Sequence, residues 1–234
     1  ISDVICLTKI EGLVYYFQTI ELFSKTIRLS IKITFIKGSA MNNISRYDSI
    51  KKLPENSSKR WETEEFEFDS IAQDVFLPIY AVIADDILAK TQVSKGKMLD
   101  LGCGGGHLGL ALLEKTSQKG YFIDINETAL RIAEERAVKR GLVERAVFLK
   151  QDVHKMDFPD EFADLIVSRG SYIFWEDLEK ALLEIYRILA PGGKTYIGGG
   201  LGNEKLAAAI HKKMQPIQPG WPNTIHRRNR KITN

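Results

Sequence analysis

The chain has 234 residues, 44% hydrophobic and 27% charged, with a formal net charge of +3, enough to bury one substantial core with extensions. That charge is too small to imply a nucleic-acid partner for the body of the protein, and no apolar run approaches the length needed to cross a bilayer. Two cysteines, Cys6 and Cys103, are too few for a disulfide framework or a cysteine zinc site, so the expected setting is a reducing, cytoplasmic one; no secretory signal is read in the first residues, which include Asp3.

In chain order, residues 1–40 stand apart. They carry the run Leu13-Val-Tyr-Tyr-Phe17 and then a segment in which Ile31, Ile33 and Phe35 alternate with Lys32 and Thr34, the period of a half-buried strand. Met41 opens a polar stretch, so these forty residues read either as a strand-forming extension or as an added leader. Residues 41–65 are loop-like, with Pro54 and Asn56 as breakers. From Phe66 to Leu88 the pattern is helical, Ile79, Val82, Ile83 and Ile87 sharing a face, and Pro78 is expected to divide one helix from the next. A helix here can lie across the mouth of a site formed by the next segment, where Tyr80 either touches a ligand or packs as a core aromatic.

That next segment, Met98-Leu-Asp-Leu-Gly-Cys-Gly-Gly-Gly-His-Leu-Gly109, reads as a buried strand, a glycine turn and a helix start. Glycine lets backbone approach a ligand, and N–H groups at a helix start lack helical partners, so the turn can meet a polar group. The GxGxxG spacing of Gly104, Gly106 and Gly109 is weak evidence by itself. Beyond it come a helix to Lys115, a strand Tyr121-Phe-Ile-Asp-Ile125, and a helix from Glu127 to Arg140 capped by Asn126 and ended by Gly141. A strand at Ala146-Val-Phe-Leu149, another from Phe162 to Ser168, a helix from Leu178 to Leu189 and a Pro191-Gly-Gly193 turn into Thr195-Tyr-Ile197 complete the alternation. The expected fold class is α/β, a doubly wound, mainly parallel sheet covered on both faces, its ligand outside the carboxyl ends of the strands. Residues 203–214 make a further helix, and the basic tail at Arg227, Arg228, Arg230 and Lys231 reads as a solvated end.

Asp124, about 18 residues beyond Gly106 at the end of the second of these strands, stands where a carboxylate accepts hydrogen bonds from both hydroxyls of a ribose. Asp152 stands where it can accept from an adenine amino group. Asp100 puts an anion beside the glycines, which suits a positively charged ligand better than a pyrophosphate.

Asp100-Leu-Gly-Cys-Gly-Gly-Gly106, Asp124, Gln151-Asp152-Val153, Ile166-Val-Ser-Arg-Gly-Ser171 and Leu189-Ala-Pro-Gly-Gly193 stand in the order found in class I S-adenosylmethionine-dependent methyltransferases. The chain resembles that family over roughly residues 66–202, its small-molecule subgroup with the quinone-biosynthesis enzymes most of all. The resemblance implies a seven-stranded Rossmann-like sheet with S-adenosylmethionine as cofactor. Its methionine end would lie over Gly102, Gly104 and Gly106, its ribose on Asp124, and its adenine near Ile125, Asp152 and Val153, with backbone of Ser168 and Arg169 beside the amino group. It also implies a small-molecule methyl acceptor, near Tyr172, Phe174 and Trp175, taking the methyl by in-line displacement. No catalytic residue or metal ligand is singled out: His107, His154, His211, His226 and Cys103 read as structural or surface residues. Ser168-Arg-Gly-Ser171 replaces the Asp/Asn-Pro-Pro-aromatic tetrapeptide of enzymes that methylate nucleic-acid amino groups, so a nucleic-acid partner is not expected.

One departure stands out. The family sheet ends in an antiparallel pair after its fifth strand, and no two convincing strands come after Ile197, so the sheet either lacks them or borrows a strand from Ile27–Ile36 or from a second subunit in a homo-oligomer. Two alternatives share the cradle: an NAD(P)-dependent oxidoreductase, and a non-catalytic or truncated cofactor-binding protein.

Overall fold

The computed structural model describes Asp3–Ile10, Leu13–Ile20 and residues 69–218. Within them lie strands β1 (Asp3–Ile10), β2 (Leu13–Ile20), β3 (Lys97–Leu101), β4 (Lys119–Asp124), β5 (Ala146–Lys150), β6 (Ala163–Arg169) and β7 (Leu189–Gly198). The helices are α1 (Leu77–Thr91), α2 (His107–Lys115), α3 (Glu127–Lys139), α4 (Leu178–Ile188) and α5 (Glu204–Ile217). The strands form one sheet in the order β2-β1-β7-β6-β3-β4-β5. β3 pairs parallel with both β4 and β6, and the chain winds outward from it in both directions. The strand order therefore reverses beside β3, which opens a crevice at its carboxyl end.

Period-two alternation divides the core. Met98, Phe122, Leu165, Val167 and Tyr196 face α1, α2 and α5, while Leu99, Leu101, Ile123, Ile166 and Ile197 face α4. Asp100 falls on the first of these faces and is the carboxylate this pattern buries, at 2% exposure.

The antiparallel pair is present at the expected edge, and it comes from the other end of the chain. β1 runs antiparallel to β7, pairing Val4 with Gly198 and Thr8 with Lys194, and β2 runs antiparallel to β1. The segment Ile27–Ile36 lies outside the described residues. Edge position is decided by which backbone is free to satisfy β7, and order along the chain does not restrict it.

Two other expectations change. Pro78 stands in the first turn of α1, just past the boundary with a π-helical turn at Ala72–Phe76, but the helical run from Asp69 passes through that boundary without a break. Proline has no N–H to give to the Asp74 carbonyl four residues back, and that oxygen accepts from Lys213 Nζ of α5 at 3.3 Å. Pro191-Gly-Gly193 lies within β7, where the register against β6 jumps from Ala163 opposite Leu189 to Leu165 opposite Lys194, so it acts as a bulge. The strands and helices from β3 to α4 otherwise have limits within a residue or two of those expected, while α1 and α5 each run three residues past their expected ends. Among the described residues no helix is long and apolar enough to cross a membrane.

Candidate functional site at the glycine turn

The turn after β3 is fastened on every side. Cys103 N donates to Ile123 O at 3.1 Å, Gly104 N to Asp124 Oδ2 at 2.9 Å, and Gly109 N to Asp100 Oδ2 at 2.9 Å. Gly106, the residue before α2, has φ +75° and would place a Cβ 2.9 Å from the Ala133 Cβ, so only glycine lets α2 start this close to α3. Gly102 backs onto Ser171, whose hydroxyl donates to Leu101 O at 2.9 Å and meets Ser168 Oγ at 2.6 Å. Ser168 is thus buried beneath the crevice, tying the end of β6 to the end of β3.

Asp124 sits at the end of β4, one carboxylate oxygen on Gly104 N–H and the other accepting from Asn126 N at 2.9 Å. Burial pushes its pKa up, against the pull of these N–H groups. Asn126 accepts in turn from Thr128 N and Ala129 N as the cap of α3. Ile125 between them is 70% exposed, a large apolar side chain left in the open beside the crevice. Gln151 N donates to Asp124 O at 3.1 Å, which carries the β5 end and the Asp152–Val153 loop to the same rim. There Val153 is buried and Asp152 exposed, its Oδ1 taken by His154 N at 2.9 Å and His154 Nδ1 at 2.5 Å.

Asp100 departs from its expected place. The sequence suggests an anion facing the ligand, but Asp100 lies behind the turn, and desolvation raises its pKa to about 7, with Gly109 N–H lowering and Asp124 raising it. Alternation along β3 puts it inside, so it shapes the turn from beneath. Arg169 differs as well. Its expected contribution is backbone; its side chain packs on two aromatic rings, with its guanidinium carbon 5.0 Å from the Phe76 ring centre and 5.5 Å from that of Tyr80.

A cluster the sequence did not mark closes the front of the turn. Asp69 accepts from Arg136 Nη2 at 3.0 Å and meets His107 Nε2 at 3.3 Å, and Arg136 also donates to Gly105 O. A Cβ on Gly105 would lie 2.0 Å from Asp69 Oδ1. His107 is 4% exposed and stacks on Tyr80, ring centres 4.8 Å apart and planes 11° from parallel. Burial pulls the His107 pKa down. Nothing in the amphipathic pattern from Phe66 onward distinguishes Asp69 from any other exposed acid, so only the packed helices reveal it.

These features fit an adenosine cofactor. The side of Gly104 where a Cβ would point is open for 4 Å, the Asp124 carboxylate accepts from the N–H groups of Gly104, Ile125 and Asn126 and so keeps acceptor capacity for a further donor, and Ile125 offers an apolar surface to a planar base. Among the described residues no group of three or more His, Cys, Asp or Glu side chains could hold a metal ion.

A sequence model of the methyltransferase domain family matches residues 99–197. The ubiquinone/menaquinone biosynthesis C-methyltransferase of Francisella tularensis subsp. novicida is 30% identical over 122 residues, 51% of this chain and 49% of that one. The counterpart in Cupriavidus taiwanensis is 32% identical over 113 residues, 47% of this chain and 46% of its own length. The chain thus spans about half the length of the curated relatives it matches. A crystal structure of a candidate S-adenosyl-L-methionine-dependent methyltransferase from Methanococcus maripaludis superposes with a TM-score of 0.69 at 35% identity, over 80% of this chain and 82% of that one. With the Rossmann-like sheet, the fastened glycine turn and Asp124 in place, the chain belongs to the S-adenosylmethionine-dependent methyltransferase family.

Proposed function

We propose that this protein transfers a methyl group from S-adenosylmethionine to a small-molecule acceptor by in-line displacement at the sulfonium. One observation supports it most: Asp124 and the glycine turn are joined by a 2.9 Å hydrogen bond, so a ribose-binding acid and a backbone cradle face one ligand. Family membership leaves the nicotinamide alternative without support.

When bound, the cofactor supplies an electrophilic methyl on a cationic sulfur. The protein's part is to hold and to exclude water. Asp124 accepts from the ribose hydroxyls, each charge-assisted bond contributing about 1.5–3 kcal/mol. Ile125 and Val153 cover the faces of the adenine, Asp152 accepts from its amino group through the oxygen His154 leaves free, and backbone at Ser168 and Arg169 lines the same crevice. Gly102, Gly104 and Gly106 let the main chain approach the methionine end, while Asp100 fixes the turn from below. The stack of Tyr80 on His107 and the Asp69–Arg136 pair hold the helix before β3 across the front, and lining up the acceptor behind it is where the rate gain arises. A cytoplasmic enzyme with a small-molecule acceptor is part of the same proposal.

Calorimetry with S-adenosylmethionine, S-adenosylhomocysteine and NADH tests it. Binding of the first two and not the third is expected; no heat from either sulfur compound with a folded sample would end the proposal. Turnover over an acceptor panel then separates an enzyme from a non-catalytic binder.

A further inference from the structure

Arg169 is the arginine of the described core whose charge is least accounted for. Arg136, Arg140 and Arg187 each pair with a carboxylate, and Arg145 donates to the carbonyls of Leu113, Thr116 and Gln118. Arg169 donates one hydrogen bond, from Nη2 to Gly200 O at 3.1 Å, and forms no ion pair among the described residues. Its Nε is sealed from solvent with no partner. The guanidinium therefore stands against the rings of Phe76 and Tyr80 at the carboxyl end of β6, with one hydrogen bond and no carboxylate among the described residues.

A partly desolvated guanidinium without an anion is costly to hold, and the remaining Nη1 and Nη2 donors match a carboxylate in two parallel bonds. The aromatic rings hold the planar cation in place. We propose that Arg169 is the specificity-determining residue of the acceptor pocket and that it selects acceptors bearing an anionic group, of carboxylate type. This rests on the methyl-transfer reading, since it takes the crevice beside the cofactor cradle to be the acceptor's.

The test is calorimetry on the full chain saturated with S-adenosylhomocysteine, titrated with matched pairs: benzoate and benzamide, 4-hydroxybenzoate and 4-hydroxybenzamide, hexanoate and hexanamide. At least one acid is expected to bind about fivefold or more tighter than its amide, and Arg169→Gln to bring that ratio below about fivefold while changing the S-adenosylhomocysteine Kd by less than about fivefold. Arg169→Lys, which keeps the charge and loses the fork, is expected to lower the ratio as well and serves if the glutamine variant does not fold. A wild type that prefers no acid, or a ratio that survives in the variants, overturns the proposal. So does a fivefold or greater loss of S-adenosylhomocysteine affinity in the variants, because the guanidinium would then be holding the cofactor's own carboxylate. Failure of the wild type to bind S-adenosylhomocysteine at all would instead defeat the methyl-transfer reading itself.

Discussion

Asp69 and Arg136, 67 positions apart, meet at 3.0 Å across the rim of the glycine turn, each with a side chain only 15% exposed. Burial alone would raise the Asp69 pKa, but hydrogen bonds from His107 and Arg136 and the guanidinium charge hold it at about 2, below its ordinary 3.8. A carboxyl so depressed contributes stability above its unfolded pKa, about 2 kcal/mol, and loses it as pH falls from about 4 through about 2. Arg136→Met is therefore expected to lower stability by about 2–3 kcal/mol at pH 7, leaving Asp69 and the Gly105 carbonyl short of a donor. Urea denaturation at pH 7 and pH 3 checks it: the gap between variant and wild type should narrow at the lower pH.

Asp100 titrates in the opposite sense. Its folded pKa of about 7 lies above the unfolded value, so its contribution favours folding below about pH 4 and is lost as pH rises through about 7. Asp100→Asn keeps an oxygen for Gly109 N–H and removes the buried charge. Its melting temperature should exceed that of the wild type at pH 8, and the excess should shrink at pH 5.

Asp124→Ala is expected to weaken S-adenosylhomocysteine binding by about 2–4 kcal/mol, two charge-assisted bonds being lost. Because Asp124 also accepts from Gly104 and Asn126, part of the loss reflects a looser turn. Asp124→Asn, with one acceptor oxygen left, should lie between. Calorimetric dissociation constants for both, with melting curves to confirm folding, decide whether Asp124 belongs to the site.

Removal of residues 1–20 would strip β1 and β2 and leave the β7 edge with unpaired N–H and C=O groups. The shortened chain should melt lower and self-associate as concentration rises, which sedimentation velocity would show. A monomer of unchanged melting temperature would mean the hairpin contributes nothing to the sheet.

Local patterns fixed much of this protein. Alternating apolar residues set the strands, Asn126 and Gly141 set the ends of α3, and the glycines after β3 set a turn, because each is a matter of backbone conformation and near neighbours. Tertiary structure alone decided the rest. Whether Asp100 faces a ligand or the interior depends on what packs against β3, and the meeting of Asp69, His107 and Arg136 depends on three segments brought together by burial of α1, α2 and α3. The origin of the edge strands was likewise undecidable from order in the chain, since a ladder of backbone hydrogen bonds accepts any strand of suitable geometry, from either end.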